Sequence, residues 1–379
     1  MGWQANLTFG STTSQDSQES MNAEEVNMDL FWDVWNTLDS KYVDTGKIDA
    51  QSEIYGAISG MVESLDDPYS VFMTPDETEQ FQSSLNGELQ GIGAELTVEE
   101  GQLVVVSPLK DSPAEQAGVL PGDYIYMVDD EPTAEMTLWE AIMNIRGEPG
   151  TDVKLTILRK EVDEPIELTI TRQEIIVPSV DLVFEEREGK TLAHLSIYQF
   201  GDDTYDEFEA AVREVLLQNP DGMVLDLRLN GGGYLDSSVE IMSEFFDDKQ
   251  TGVIVKRRDA ADELVKTTGA GQLKDLPLVV LIDEGSASAA EILAGALQDY
   301  ERAILMGEQS FGKGSVQELT DLSDGSSLRL TIAKWYTPND RSINEVGITP
   351  DITVPMEASE LGTENDVQLD AALDYLVNL

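Results

Sequence analysis

A buried strand that turns into a helix of small residues is the feature that most constrains this chain. Residues 278–282 read Leu-Val-Val-Leu-Ile and follow Pro277, a pattern typical of a buried strand. Residues 289–300 carry small or apolar side chains on nearly every face, which indicates a helix that is itself buried. Ser286 and Ser288 lie between them. The stretch therefore predicts serine hydroxyls at the junction of a buried strand and a buried helix.

The serines of this turn admit two interpretations. A hydroxyl beside the free N–H groups of a helix N-terminus can act as a nucleophile, and those N–H groups can hold an oxyanion. Ser288-Ala-Ala-Glu291 also matches the capping box, in which Ser bonds a backbone N–H and Glu reaches back. Helix caps are far more common than nucleophiles, so this stretch alone favours the cap. The rest of the chain has to decide between the two.

Composition excludes several classes of function. The chain has 379 residues, enough for two or three domains, and a formal net charge of −51. Such an acidic chain repels nucleic-acid phosphates and anionic lipid headgroups, so neither is an expected partner. Cysteine is absent, which rules out disulfides, thiolate metal sites and a cysteine nucleophile. No calcium-loop or Walker pattern occurs, and we therefore predict no metal or nucleotide cofactor.

A histidine base is also not expected. His194 is the single histidine of the chain, and it lies in Thr191-Leu-Ala-His-Leu-Ser-Ile-Tyr198, an alternating segment typical of a strand. No second histidine or cysteine accompanies it as a metal ligand. A serine hydrolase built from this chain would therefore use another base.

The N-terminal part of the chain is predicted to be helical after a disordered tail. Residues 1–22 are polar and low in aromatic residues, which favours disorder. Residues 23–85 show apolar positions at helical spacing, with a stop at Asp66-Asp67-Pro68 and a new helix start at Thr74-Pro-Asp-Glu77. No apolar run reaches the roughly 18 residues of a membrane span.

Residues 86–172 resemble a PDZ domain of the bacterial protease-associated type. Gly91-Ile92-Gly93-Ala94 matches the carboxylate-binding loop of that domain, and Ser112-Pro-Ala through Gly122-Asp123 matches its most recognisable signature. Backbone N–H groups of a glycine-rich loop can form a nest for a peptide carboxylate. The adjacent strand edge can accept an extended peptide as an added strand. The alternative is that these glycines only form hairpin turns.

Strands and helices alternate over residues 173–358, with strands at 251–256 and 278–282 among them, which predicts an α/β sheet with helical crossovers. Three turns follow strands in this region: Asn230-Gly-Gly-Gly233, the serine turn, and residues 307–317. If the sheet is parallel, all three lie at the carboxyl ends of strands, where α/β proteins bind ligands. Residues 359–379 show a helical face that would dock on the body of the protein or on a second subunit.

The chain resembles a carboxyl-terminal processing protease, also called a tail-specific protease, from about residue 23 to 356. The matching blocks include residues 56–70, the PDZ region, the serine turn, residues 311–317 and Tyr336-Thr-Pro to Gly347-Ile-Thr-Pro-Asp351, in the family's order. The implied fold is an α/β multidomain protein: a helical N-terminal region, then a PDZ domain inserted before a crotonase/ClpP-like α/β protease core. One departure is Gly231, which stands where the family turn usually has proline.

The resemblance assigns the catalytic set residue by residue. It implies Ser288 as the nucleophile, Lys313 as the general base and Gln317 as the residue that orients the lysine amine, one helical or turn step away. The implied oxyanion donors are the backbone N–H groups of Gly232 and Ala289.

A lysine base requires a special environment, because a free lysine has a pKa near ~10.4 and stays protonated at neutral pH. Burial among apolar walls lowers that pKa. The glycines on both sides of Lys313 allow its backbone to approach the serine closely.

Two neighbouring residues receive structural roles by default: Glu291 caps its helix, and Arg228 pairs with a carboxylate, because arginine stays protonated.

The resemblance implies an ATP-independent serine endopeptidase that captures protein C-termini through its PDZ domain. It also implies action outside the cytoplasmic membrane, a homodimer formed through the helical ends, and a signal or membrane anchor removed from ahead of this sequence. Two other functions remain open. An inactive peptide-binding scaffold is supported only by the Gly231 substitution, and the Ser–Lys–Gln set argues against a crotonase-like acyl-transfer enzyme.

Overall fold

The computed structural model describes residues 27–85, 88–99, 102–109, 112–136, 138–160, 162, 164–176, 178–356, 360–361, 363 and 365–379. The predicted disordered tail, residues 1–22, lies outside the described residues. The chain divides into two compact units, residues 1–61 and 62–379. No helix among the described residues is long and apolar enough to cross a membrane.

The described part of the first unit is helical, as predicted. It contains α1 (Asp29–Lys41) and most of α2 (Ala50–Glu63). None of the residues of α1 is buried. The rings of Phe31 and Trp32 meet edge to face with their centroids 5.1 Å apart, on a helix that leaves several large apolar side chains exposed.

The second unit starts with a short strand that the sequence did not reveal. β1 (Val71–Met73) precedes α3 (Pro75–Leu85) in a segment predicted to be all-helical. The start of α3 is as expected, because the Glu77 carboxylate accepts the Thr74 N–H at 2.8 Å. The sequence did not predict this strand, because three residues are too few to show the alternation of apolar and polar side chains typical of a strand.

The region expected to be a PDZ domain is a small sheet with helices against it. Its elements are β2 (Glu88–Gly91), β3 (Ala94–Glu99), β4 (Gln102–Pro108), α4 (Pro113–Gln116), β5 (Tyr124–Val128), β6 (Glu131–Pro132), α5 (Leu138–Ile145), β7 (Asp152–Leu158), β8 (Ile166–Thr171) and β9 (Gln173–Ile176). The strands β3, β4, β5, β7 and β8 are neighbours in that order, β6 pairs with β5, and β2 pairs with β9. Ile125, Leu155 and Ile157 are fully buried in the core of this region.

The remainder of the unit is an α/β core, as predicted. Its elements are β10 (Val180–Arg187), β11 (Lys190–Ile197), α6 (Thr204–Gln218), β12 (Gly222–Asp226), α7 (Leu235–Met242), β13 (Thr251–Arg257), β14 (Glu263–Lys266), β15 (Leu278–Ile282), α8 (Ala289–Asp299), β16 (Ile304–Gly307), β17 (Ser315–Asp321), β18 (Ser327–Tyr336), β19 (Ile352–Thr353) and α9 (Val367–Val377).

A six-stranded sheet forms the centre of the core, in the order β10-β11-β12-β15-β16-β19. All of its pairs are parallel except β10 with β11. Every residue of β12 and of β15 is buried, because helices cover both faces of the sheet. Leu225 contributes to the cluster beneath α6, α7 and α8, whereas Val224 faces the cluster that contains Leu373 and Leu376 of α9. The C-terminal helix therefore docks on the body of the protein.

A second sheet is antiparallel, and the alternation of strands and helices had not predicted it. β18 pairs with β1, β13 and β17, and β13 also pairs with β14. The sequence predicted residues 251–256 as one of the strands of the α/β sheet, and that placement was wrong, because they pair with β14 and β18. The alternating burial of β13 is typical of an antiparallel strand, whereas β12 and β15 are buried throughout.

Candidate active site

The three turns that follow β12, β15 and β16 meet at one edge of the parallel sheet, as expected. The Ala287 N–H donates to the Asn230 carbonyl at 2.9 Å, which joins the glycine turn to the serine turn. The Phe311 N–H donates to the Ser286 carbonyl at 3.0 Å, which joins the serine turn to the third. This edge therefore holds Gly232, Ser288 and Lys313 in neighbouring loops.

The two serines of the turn have different surroundings. The buried Ser286 hydroxyl donates to the Leu227 carbonyl at 2.8 Å and accepts the Asp283 N–H at 2.9 Å, so it fastens the turn. Ser288 is half-buried at the start of α8, with φ +54° and ψ −113°. A residue other than glycine rarely adopts such a conformation, and strain of this kind is concentrated at functional sites.

Glu291 joins the serine turn to the loop that carries Lys313. Its buried carboxylate accepts the Ser288 N–H at 2.9 Å, the Ser310 hydroxyl at 2.6 Å, the Gly312 N–H at 2.7 Å and the Lys313 N–H at 2.9 Å. The capping interpretation and the catalytic interpretation are therefore compatible, because the cap is made by the Glu291 carboxylate to the Ser288 backbone.

A cavity of about 580 Å³ opens at this edge of the sheet. Among the residues that line it are Ser288, Lys313, Gln317 and Gly232, which the family resemblance implies as one catalytic set. The other lining residues are Phe81, Tyr198, Gln199, Phe200, Gly231, Gly233, Tyr234, Leu235, Ile292, Ser315, Val316, Leu319, Arg329 and Trp335.

The Lys313 amine is mostly buried, and this burial lowers the pKa of the amine below its usual value. The positive charge of Arg329 lowers it further, whereas Asp67 and Glu291 act in the opposite direction. The amine lies 4.9 Å from the centre of the Tyr69 ring. No salt bridge of the described residues includes Lys313, so Asp67 and Glu291 act on the amine only through their charge at a distance and do not outweigh its burial.

The loop before β1 supports this part of the cavity, and sequence reasoning gave it no role at the site. The Asp67 carboxylate accepts the Ser70 hydroxyl at 2.6 Å and the Tyr69 N–H at 3.1 Å. Burial raises the pKa of the Asp67 carboxyl, but these bonds, one from Thr331 and the charge of Lys313 outweigh it and leave the pKa low. The Asp-Pro-Tyr-Ser motif was the available signal.

Gln317 lies on a strand, not one helical or turn step from Lys313. Its amide nitrogen donates to the Ser315 hydroxyl at 2.9 Å and to the Thr331 hydroxyl at 3.2 Å. None of the hydrogen bonds of the described residues joins this amide to the Lys313 amine. Residues four apart in the chain are neighbours only within a helix. Gln317 lies on the extended strand β17, so its spacing from Lys313 does not bring the two side chains together.

The two expected oxyanion donors lie side by side. A Cβ atom on Gly232, whose φ is +101°, would lie 2.8 Å from Ser288 Cβ and 3.0 Å from the Ala289 nitrogen, so this position requires glycine. Ala289 begins α8, and its N–H is one of the first four that lack a partner within the helix. The Gly232 N–H, by contrast, donates to the Asn230 side-chain oxygen at 2.9 Å.

Sequence comparison agrees with this geometry. Residues 191–354 match the model of peptidase family S41, residues 90–170 match a PDZ domain, and residues 3–78 match the N-terminal domain of the activating protease CtpB. A carboxy-terminal-processing protease of Bartonella bacilliformis is 40% identical over 89% of this chain and 77% of its own. This chain belongs to the carboxyl-terminal processing proteases. It is a serine-type peptidase with a PDZ domain, and no finding supports the inactive scaffold.

Other relatives give the same result. CtpB of Bacillus subtilis, a carboxy-terminal processing protease, is 37% identical over 86% of this chain and 68% of its own. The solved structure of a photosystem II D1 C-terminal processing protease is 29% identical, with a TM-score of 0.56 over 89% of this chain and 97% of that one. A structure from Bacteroides fragilis described as an S41 protease shares the fold, with a TM-score of 0.62 at 19% identity over 90% of this chain and 96% of that one.

The PDZ region of this protease contains a small groove at the expected loop. Gly91, Ile92, Gly93 and Ala94 line a cavity of about 110 Å³ together with Arg146 and other residues. Burial lowers the pKa of the Arg146 guanidinium, and no ion pair of the described residues includes it. Sequence reasoning missed Arg146, although an arginine directly after an amphipathic helix that flanks a carboxylate loop was the available signal.

Arg228 pairs with carboxylates, as predicted. Its guanidinium donates to Asp226 at 2.6 Å and 2.9 Å, and to both oxygens of Asp366 at 2.9 Å. These hydrogen bonds raise the pKa of Arg228 despite its burial. His194 lies on β11, as expected, with Nε2 3.2 Å from Asp226. Asp366 caps α9, so the cluster fastens the C-terminal helix to the end of β12.

Proposed function

We propose that this protease cleaves peptide bonds with Ser288 as nucleophile and Lys313 as general base. The neutral Lys313 amine takes the proton of the Ser288 hydroxyl while the hydroxyl oxygen attacks the substrate carbonyl. The protonated amine then returns that proton to the leaving nitrogen, and water hydrolyses the acyl-enzyme by the same route. No step requires a nucleotide.

The observation that carries this proposal is the shared cavity. Ser288 and Lys313 line one space, and the Lys313 amine is buried without a carboxylate partner among the described residues. Burial favours the neutral form that a base needs. Glu291 supports the arrangement, because it binds the backbone N–H groups of both residues.

Gln317 and the oxyanion donors have supporting roles in the proposal. We infer that Gln317 orients the Lys313 amine after its amide turns away from Ser315 and Thr331. The Ala289 N–H and the Gly232 N–H receive the oxyanion. The Gly232 N–H donates to Asn230 here, so oxyanion binding requires this bond to be shared or released.

The PDZ domain supplies the specificity for C-termini. Gly91, Ile92, Gly93 and Ala94 offer backbone N–H groups to the terminal carboxylate of an extended peptide. Arg146 lines the same groove and adds a positive charge that no described carboxylate neutralises. An unfolded or tailed protein held in this groove is then cleaved at Ser288.

Assembly and location follow from the exposed face of α1 and from the family. Leu30, Trp32 and Val34 are more than half exposed, and a second copy of this helix would cover them. We therefore propose a homodimer formed through the helical ends. The relatives in Bartonella and Bacillus are bacterial proteins, and we propose action outside the cytoplasmic membrane, in the periplasm or its equivalent.

Digestion of an unfolded protein with an apolar C-terminus tests the mechanism. Wild type should cleave it, whereas Lys313→Ala should lose cleavage by roughly two to four orders of magnitude and Ser288→Ala by up to about six. Cleavage that persists in Ser288→Ala would identify another nucleophile. Bound but intact peptide with wild type would favour the inactive scaffold.

Arg146→Gln tests recognition of the C-terminus. This change should raise KM for a substrate with a free C-terminal carboxylate by about tenfold, the size expected for loss of one charge-assisted hydrogen bond. The same substrate with an amidated C-terminus should bind equally weakly to both proteins. An equal effect of Arg146→Gln on the free and amidated substrates would contradict the assignment.

A further inference from the structure

A second cavity adjoins the catalytic one. It has a volume of about 550 Å³, and Tyr234, Leu235 and Val316 line both cavities. An extended peptide advances about 3.3 Å per residue. A substrate in the catalytic cavity can therefore reach the second cavity with a side chain only a few residues from the scissile bond.

The second cavity is acidic and mostly unneutralised. Asp202, Asp236 and Glu240 line it, and no ion pair of the described residues includes any of the three. Arg257, also at the cavity, is paired with Glu263. Burial raises the pKa of Glu240, and repulsion from Asp236 and Asp206 raises it further. Asp236 and Glu240 thus lie close enough together to repel each other, a cost that a cation in the cavity would offset.

A buried hydroxyl at the same cavity lacks a hydrogen-bond partner. Ser237 is 7% exposed and lines the second cavity, and its Oγ atom has no hydrogen-bond partner. Buried polar groups nearly always have such a partner, and a bound ligand or water supplies it where the protein does not. The three acids therefore offer acceptor oxygens to whatever enters, and the unpartnered Ser237 hydroxyl lies buried in the wall of the same cavity.

We propose that this cavity is a substrate subsite that takes the cationic side chain of a lysine or arginine near the scissile bond. The inference rests on the proposed peptidase function, since it assigns the substrate preference of that site. The subsite is distinct from the PDZ groove, which holds the C-terminus. The substrates it favours have an apolar tail and, at a fixed distance from the cleaved bond, a basic residue.

The test uses peptides that share one cleavage site and one apolar C-terminus. Lysine replaces glutamine at one position after another on both sides of the cleaved bond, and kcat/KM is measured for each peptide. Wild type should prefer lysine at one or two adjacent positions by roughly five- to tenfold, the size of one or two partly solvated ion pairs. Raising the salt from about 0.05 M to about 0.5 M should weaken the preference.

Two variants locate the preference. Asp236→Asn combined with Glu240→Gln should bring the ratio of the lysine and glutamine rates to about one. Glu214→Gln, which removes an exposed acid of α6 outside the cavity, should leave that ratio unchanged. A lysine preference that survives in the double variant, or that Glu214→Gln also abolishes, would overturn the subsite, as would equal rates for both residues at every position in wild type.

The proposed function is judged separately. Cleavage of the all-glutamine peptide by wild type and not by Ser288→Ala reports the peptidase mechanism alone. If no peptide is cleaved, binding of the lysine and glutamine peptides to Ser288→Ala still measures the subsite, because that variant retains the second cavity. Equal affinities for the two peptides would then overturn the inference.

Discussion

Two buried cations near the carboxyl edge of the parallel sheet differ in their carboxylate partners and in the direction of their pKa shifts. The Arg228 side chain is 2% exposed and is bound by two carboxylates, Asp226 and Asp366. The pKa of Arg228 is raised as a result. The Lys313 amine is also mostly buried, but its pKa is lowered, and no ion pair of the described residues includes it.

The difference is the one expected between a structural cation and the general base that we propose. A buried charge with partners is stable only while the partners remain, because the loss of one leaves the other uncompensated. A buried amine without a carboxylate releases its proton more easily, and a base requires this property. Measuring the cleavage rate and the free energy of unfolding in the same variants would therefore show whether Arg228 stabilises the fold and Lys313 takes part in the reaction.

The largest expected effect is the loss of activity in Lys313→Met. Its rate should fall by roughly two to four orders of magnitude, because the base is lost. The free energy of unfolding should stay equal or rise, since a buried cation without a carboxylate partner is replaced by an apolar side chain. Lys334→Met, at an exposed position of β18, is the matched control for both measurements. A strongly destabilised Lys313→Met would contradict the comparison.

Arg228→Met should destabilise the protein by about 3–5 kcal/mol, because Asp226 and Asp366 would remain buried without their cation. Urea unfolding measures this change. Arg213→Met, which removes an exposed arginine paired with Glu209, should cost about 1 kcal/mol or less. Similar costs for the two variants would show that the buried cluster does not stabilise the attachment of α9.

The pH dependence of activity, where a smaller effect is expected, tests how neighbouring charges act on the Lys313 amine. In the proposed mechanism the neutral amine is the active form, so activity should rise as pH increases through the pKa of Lys313. Arg329→Gln removes a charge that lowers this pKa, so the rise should move to higher pH and activity at pH 7 should fall. Asp67→Asn removes a charge that raises it, so the rise should move to lower pH. Shifts of both variants in the same direction would refute this electrostatic account.

Much of the catalytic edge could be predicted because its signals are local. Neighbouring residues alone predict three parts of this edge: the apolar strand at 278–282, the glycine turn that ends in Gly233 and the small-residue helix after Ser288. Parallel pairing then brings the three turns together, and this expectation is confirmed. The C-terminal helix was also expected, although its docking partner was left open.

The errors and omissions concern pairings between distant residues. Residues 251–256 were predicted as a strand, but only their pairing with β18 and β14 places them in the antiparallel sheet. Arg228 was expected to find a carboxylate, and it finds Asp366 at a separation of 138 residues. No local period indicates such a partner, because a contact of this kind depends on how whole elements pack.

The sequence by itself determined which groups are available: one histidine, no cysteine, a serine at a strand-to-helix turn and a lysine between glycines. These follow from the identity of the residues and from their spacing along a helix, a strand or a turn. The tertiary structure decided the environment of each group, including the burial of the Lys313 amine without a salt bridge, the four hydrogen bonds of Glu291 and the acidic cavity beside the catalytic one. Burial and charge depend on distances between segments far apart in the chain, and only folding sets those distances.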